Sequence, residues 1–173
     1  MRGVLALSLL LIGTSCVPDG QSQSHGQRGA VEALIRQHAR AWEAGDTTLL
    51  KRILHDRARL AYPKRRLDKG AWLKELTDFS RDHTETRIYI HQITVEGADF
   101  AVEWQFATTQ RESGRRIVVS DAIIGRVQDG RIVLWKEYLD GRVRKLQVDG
   151  VLELEEGEEP FPWPLARDDS TAT

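Results

Sequence analysis

The chain has 173 residues, enough for one domain with its own core, and its 40% hydrophobic and 29% charged content is that of a soluble globular protein. A formal net charge of −1 supplies no global field for nucleic acid, and no nucleic-acid partner is expected. The single cysteine, Cys16, excludes an intramolecular disulfide and a cysteine-built zinc site.

In chain order, Met1-Arg2-Gly3 is a short basic start, and Val4 to Ile12 is an apolar run too short to span a bilayer. Gly13, Thr14 and Ser15 are small and lead directly into Cys16. This start resembles a bacterial lipoprotein signal peptide, with Gly13 departing from the usual leucine. The resemblance implies a signal peptide over residues 1–15, lipidation of Cys16, and a lipid-anchored place in the cell envelope. A plain secretory signal, giving a periplasmic or secreted protein, is the alternative. Residues 16–29, with the polar run Gln21 to Gly29, read as a flexible tether.

The domain is expected over residues 30–148. Val31, Leu34, Ile35, Ala39 and Trp42 recur at helical spacing, and Gly45 is a natural stop. Asp46 is placed to cap a second short helix built on Leu49, Leu50, Ile53 and Leu54. Arg59 to Tyr62 reads as a short strand ended by Pro63, with Lys64-Arg65-Arg66 in the loop beyond it. Asp68 is placed to cap a third helix with Trp72, Leu73, Leu76 and Phe79 inward. The period then changes to two. Thr86–Val95, Phe100–Thr108, Arg116–Val127 and Arg131–Leu139 read as strands joined by glycine-containing turns, an antiparallel meander. Helices first and strands second predict an α+β domain. Residues 149–173 are acidic and proline-containing, and read as an extended tail in which Trp163 could dock on the domain.

Three ionisable residues interrupt apolar rows. His38 falls on the inward face of the first helix; Asp121 lies in the row Ile117, Val119, Ile123, Val127; Glu137 lies in the row Val133, Trp135, Leu139. Counted outward from the Asp129-Gly130 turn, Asp121 and Glu137 are roughly opposite and share a face. Two carboxylates in an apolar setting do not both ionise cheaply, so one becomes an acid and the other a base, with a histidine nearby as a shuttle. The competing reading is structural: each group accepts hydrogen bonds from a neighbouring Arg, Trp or Tyr and seals the rim. Trp42, Trp104, Phe106 and Trp135 would then form an aromatic wall or simple core filling. Lys64-Arg65-Arg66 could meet an anionic ligand or be a solvated loop. With no glycine-rich phosphate loop, metal-ligand spacing or nucleophile motif, no cofactor and no metal are expected.

The stretches ARAWEAGDTTLLKRIL (Ala39 to Leu54), ARLAYP (Ala58 to Pro63), DFAVEW (Asp99 to Trp104) and VQDGRIVLWKEYLD (Val127 to Asp140) resemble the nuclear transport factor 2-like superfamily, and within it the SnoaL-like group. The resemblance covers about residues 31–147. It implies a cone: N-terminal helices packed on a curved antiparallel sheet, with one pocket at the wide end. The ketosteroid isomerase branch implies a base at Tyr62, a hydrogen-bonding group at His38 and a protonated acid near Ile123; Tyr62 is no base, so that reaction is not implied. The limonene epoxide hydrolase branch implies an Arg and an Asp where Trp104 and Phe106 stand, and only Glu137 survives of its set. Three readings follow. The first is a binder of a small, largely apolar or aromatic molecule, using Glu137, Asp121 and His38 with Tyr62, Trp104, Phe106, Trp135 and Ile123 around it. The second is an acid/base isomerase, cyclase or dehydratase. The third is an envelope interaction module, a homodimer through its outer sheet face.

Overall fold

The computed structural model describes residues 20–139, 141–154 and 158–161. The expected signal peptide, Cys16, Asp140 and Trp163 lie outside them. Four helices and six strands follow in the order α1 (Gly20–Ala44), α2 (Thr47–Ile53), β1 (Leu54–Tyr62), β2 (Arg65–Asp68), α3 (Lys69–Asp82), β3 (His83–Glu96), β4 (Asp99–Gln110), β5 (Arg116–Gln128), β6 (Arg131–Leu139) and α4 (Gly141–Val148). The strands form one sheet in the order β2-β1-β6-β5-β4-β3. The helices pack on it to give the α+β cone that the sequence predicts.

The boundaries follow from local chemistry. Gly45 adopts φ +66° at the end of α1, and a Cβ there would lie 2.7 Å from Ser80 Oγ. The amide of Asp46 donates back to the Ala41 carbonyl at 2.8 Å, so the turn closes on the helix end. Asp46 Oδ1 then accepts from the Leu49 amide at 2.8 Å, and Asp68 Oδ1 accepts from the Ala71 amide at 2.9 Å. Both expected caps are formed, and each satisfies an otherwise orphaned helix donor. Along α1, Val31, Ile35, His38 and Trp42 face the sheet at alternating four- and three-residue steps. The core they join contains Leu60, Trp72, Leu76, Phe100, Val102, Ile123, Ile132 and Trp135.

Several expectations need correction. The stretch Gln21 to Gly29, read as a flexible tether, is the first part of α1. The sheet is mixed rather than antiparallel throughout, because β1 runs parallel to β6. Parallel pairing needs a long crossover, and the whole α3-to-β5 segment supplies it. β1 starts at Leu54, ahead of the expected Arg59, and Arg65 and Arg66 lie in β2, with Arg65 paired to Tyr62. The strands β3, β4 and β5 are each longer than expected, while β6 matches. A bulge between the pairs Arg126–Leu134 and Val127–Ile132 leaves Val133 without a partner. Ile132, not Val133, therefore occupies the fully buried row with Trp135. Residues 141–148, placed inside the expected domain but given no element there, form α4.

Gly125 faces inward beside Phe100, its cross-strand partner. A Cβ at Gly125 would lie 2.1 Å from Phe100 Cζ, so the ring occupies the space of the missing side chain. Gly125→Ala should therefore destabilise the domain by about 1–3 kcal/mol through overpacking. Chemical denaturation checks this, and the double variant Gly125→Ala/Phe100→Leu should recover part of the loss.

Candidate functional site

Between α1, α3 and the inner sheet face lies a cavity of about 440 Å³, within the range of small-molecule sites. Every element except α2 and β3 lines it. Its apolar wall includes Trp42, Leu60, Phe79, Trp104, Phe106 and Ile117. Its polar groups are His38, Tyr62, Arg65, Glu75, Thr108, Asp121, Glu137 and Arg144.

Of the candidates read from sequence, His38, Tyr62, Trp104, Phe106, Asp121 and Glu137 all line this cavity. Trp135 and Ile123 do not; both have no solvent exposure and lie in the core behind it. The His38 ring covers Trp135, their centroids 4.0 Å apart. Asp121 and Glu137 share the inner face but are not directly opposite. Asp121 pairs with Leu139, and Glu137 with Ile123, so the two carboxylates are diagonal neighbours.

Each ionisable group is bonded to an indole. Trp104, directly across the strand pair from Asp121, donates Nε1–H to Asp121 Oδ2 at 3.3 Å, and the Tyr138 amide donates to Asp121 Oδ1 at 3.1 Å. Trp135, two residues before Glu137 on the same face, donates to Glu137 Oε1 at 2.9 Å. Trp42, one helical turn after His38, donates to His38 Nε2 at 3.2 Å. Since Nε2 accepts, the ring proton of neutral His38 sits on Nδ1, and that buried N–H has no hydrogen-bond partner among the described residues.

Electrostatics follow from this enclosure. Burial pushes the Asp121 carboxyl well above the usual carboxylate range, against the pull of the Trp104 and Tyr138 donors. Burial raises Glu137 too, and the nearby charge of Asp121 raises it further. Among the described residues neither carboxylate pairs with a Lys or Arg. Burial lowers the His38 imidazole to about 3, so it is neutral at physiological pH. The mouth is different. Tyr62 Oη donates to Glu75 Oε1 at 2.8 Å, and Arg65 bridges Glu75 Oε2 at 3.2 Å. Burial and this contact with Glu75 raise the Tyr62 phenol. Sequence reasoning passed over Glu75, although it falls three residues after Trp72 and four before Phe79, on the same helix face. Arg144 entered the wall unannounced because α4 itself was not expected.

A curved, unclosed sheet wrapped around helices, with a cavity between them, is the nuclear transport factor 2-like fold. A SnoaL-like domain model matches residues 35–135, more than half of the chain, and the chain belongs to that family. No curated protein matches the sequence. Among solved structures, an epoxide hydrolase of limonene-hydrolase-like type from M. tuberculosis is similar at 20% identity and TM-score 0.63, covering 73% of this chain and 94% of that one. TsrD from Streptomyces laurentii has 20% identity and TM-score 0.64, with 72% and 98% covered. A proposed polyketide cyclase from Xanthomonas campestris has 16% identity and TM-score 0.65, with 70% and 98% covered. At these identities the likeness is one of fold.

The carboxylate pair sets a test by its sign. A carboxyl raised in the folded state contributes stability that is present below its unfolded value and is lost as pH rises through the raised one. His38, lowered, contributes in the opposite sense and only below about pH 6.5, its unfolded value. Above that pH the carboxylates alone of these three still change charge. The wild-type unfolding free energy should thus fall between pH 6.5 and 8.5. Glu137→Gln, which keeps an acceptor for Trp135, should remove about 1–2 kcal/mol of that fall. Denaturant titrations at the two pH values decide it; parallel curves for both proteins would mean that Glu137 is already ionised and compensated.

Proposed function

We propose that the cavity binds a small, flat, largely apolar molecule that carries a hydrogen-bond-accepting oxygen. The observation behind this reading is an aromatic cavity lined by His38, whose buried Nδ1–H has no partner among the described residues, and by two carboxyl groups to which no described Lys or Arg is bonded. Asp121 already accepts one donor at each of its two oxygens. Glu137 accepts from one, which leaves Oε2 free to carry a proton. His38 and protonated Glu137 are both donors, and a buried donor left unmatched is costly. A carbonyl, ether or epoxide oxygen fits this inventory.

The same asymmetry supports a second reading, acid/base turnover. Two donors on Asp121 against one on Glu137 favour the anion at Asp121 and the proton at Glu137. Glu137 would then protonate a bound oxygen while Asp121 removes a proton elsewhere, which is the chemistry of an isomerisation, ring closure or dehydration. That fold relatives are described as an epoxide hydrolase and a proposed polyketide cyclase supports this second reading. We also propose that the protein works in the bacterial envelope, lipid-anchored at Cys16, from the basic start, the apolar run and the small residues before the cysteine.

A matched pair of probes tests the binding reading. 1-Tetralone and tetralin have nearly the same shape and differ in the carbonyl oxygen. The expected result is saturable binding of tetralone to the wild type, at least about ten-fold tighter than tetralin. His38→Phe should erase most of that preference while leaving tetralin binding in place. Equal affinities for the two probes, or no saturable binding of either, would overturn the proposal.

A further inference from the structure

The chain after α4 returns to the outer face of the sheet. Tyr89 and Gln105 are cross-strand partners on β3 and β4, and they point outward because Ile88, Ile90, Trp104 and Phe106 point in. Arg116 lies outward on β5, next to inward Ile117. These three residues hold a short peptide. Arg116 Nε and Nη2 grip both oxygens of Glu159 at 2.7 and 2.5 Å, and Tyr89 Oη adds a bond to Glu159 Oε1 at 2.8 Å. Gln105 reads the backbone of Phe161 at both ends of its amide: it accepts from the Phe161 amide at 2.6 Å and donates to the Phe161 carbonyl at 2.9 Å. Although Gln105 is on an outer face, it is only 1% exposed. The Arg116 guanidinium holds the Glu159 carboxyl below its ordinary range.

Before this peptide in the chain comes α4. Beyond its last pair, Leu139 with Asp121, β6 no longer covers the edge of β5. α4 fills the gap: the buried side chain of Gln147 accepts from the Val118 amide at 3.0 Å, and Arg115 donates to the Val148 carbonyl. From the same helix, Arg144 lines the cavity. The amides of Val151 and Leu152 donate back to the Leu146 carbonyl at the end of α4, at 2.9 and 3.1 Å, and only residues 155–157 separate the stretch 151–154 from the gripped peptide.

We propose that Tyr89, Gln105 and Arg116 form a docking site for the chain's own Glu159-Pro160-Phe161, and that this docking holds α4 closed against the cavity. A short polar tie on the outer face thereby sets access to the inner one. The inference uses the cavity's walls and not its ligand, so a failure of tetralone binding leaves it standing.

Two readouts on the full chain test it, in a Trp163→Phe background so that emission reports the domain's own tryptophans. One is quenching by acrylamide, a small neutral probe that reaches Trp42 and Trp104 through the cavity. The other is amide exchange across Gly141–Val148. Glu159→Gln leaves the domain's own residues unchanged. It should raise the quenching constant about two-fold and speed α4 exchange about five-fold, the scale of one partly exposed charge pair. Arg116→Glu should do the same, and the swap Arg116→Glu/Glu159→Arg should restore both readouts. Should Arg116→Glu fail to fold, Glu159→Gln decides alone. Wild-type behaviour of Glu159→Gln in both readouts would overturn the docking proposal. Faster exchange without greater quenching would overturn the link to the cavity.

Discussion

An indole N–H can donate and never accept, and this one-way property organises the cavity. A group bonded to tryptophan must present a lone pair. Trp42 thereby fixes the tautomer of His38 and turns its proton to Nδ1. Trp104 and the Tyr138 amide occupy both oxygens of Asp121, whereas Trp135 occupies only Oε1 of Glu137, which turns a carboxyl proton to Glu137 Oε2. None of these bonds brings a charge. An arginine in the same place would hold both carboxylates ionised, and the cavity would be anionic. With indoles the acids keep fixed positions and remain able to carry a proton.

The two alternatives weighed for the carboxylates are therefore not exclusive. Glu137 and Asp121 are satisfied by neighbouring tryptophans, as a structural role requires, and they also line the cavity, as a ligand-facing role requires. What separates them is the number of donors: two on Asp121, one on Glu137. The cage around His38 adds the third element. Its ring lies 4.0 Å from Trp135, 5.6 Å from Trp72 and 5.9 Å from Trp104, an enclosure in which an imidazolium would forfeit its hydration. Around the site no described Lys or Arg is bonded to either carboxyl, whereas the mouth carries the charged pair of Glu75 and Arg65.

Much of this was legible in the chain because it rests on period and capping. The inward face of α1, the caps Asp46 and Asp68, the Asp129-Gly130 turn and the strand β6 are local features, written within a few residues of where they act. The three indole pairs were equally local in kind: four residues apart on a helix, two apart on a strand, and directly across a hairpin. What was not legible depended on distant parts of the chain. The parallel partner of β1 is set by how the meander closes, the Val133 bulge by the fit of β6 to β5, and α4 by an uncovered edge of β5. Trp135 read as pocket wall because alternation gives the face of a side chain but not its depth. His38, from another element, takes the position in front of it.

The place of β6 in the sheet also orders assembly. β6 is the last strand among the described residues, yet it lies between β1 and β5, with Leu54 of β1 meeting Ile132. The first half of the domain, α1 through β2, is made with no neighbour on that side of β1. It waits with an open edge and an unmatched apolar face until almost the whole domain exists. Insertion of one strand then joins the two halves, buries Trp135 and delivers Glu137 beside Asp121. Such a late, long-range closure slows folding and lengthens the interval in which the first half is sticky. The ionisable pair accordingly comes into being in the same event that makes the fold whole.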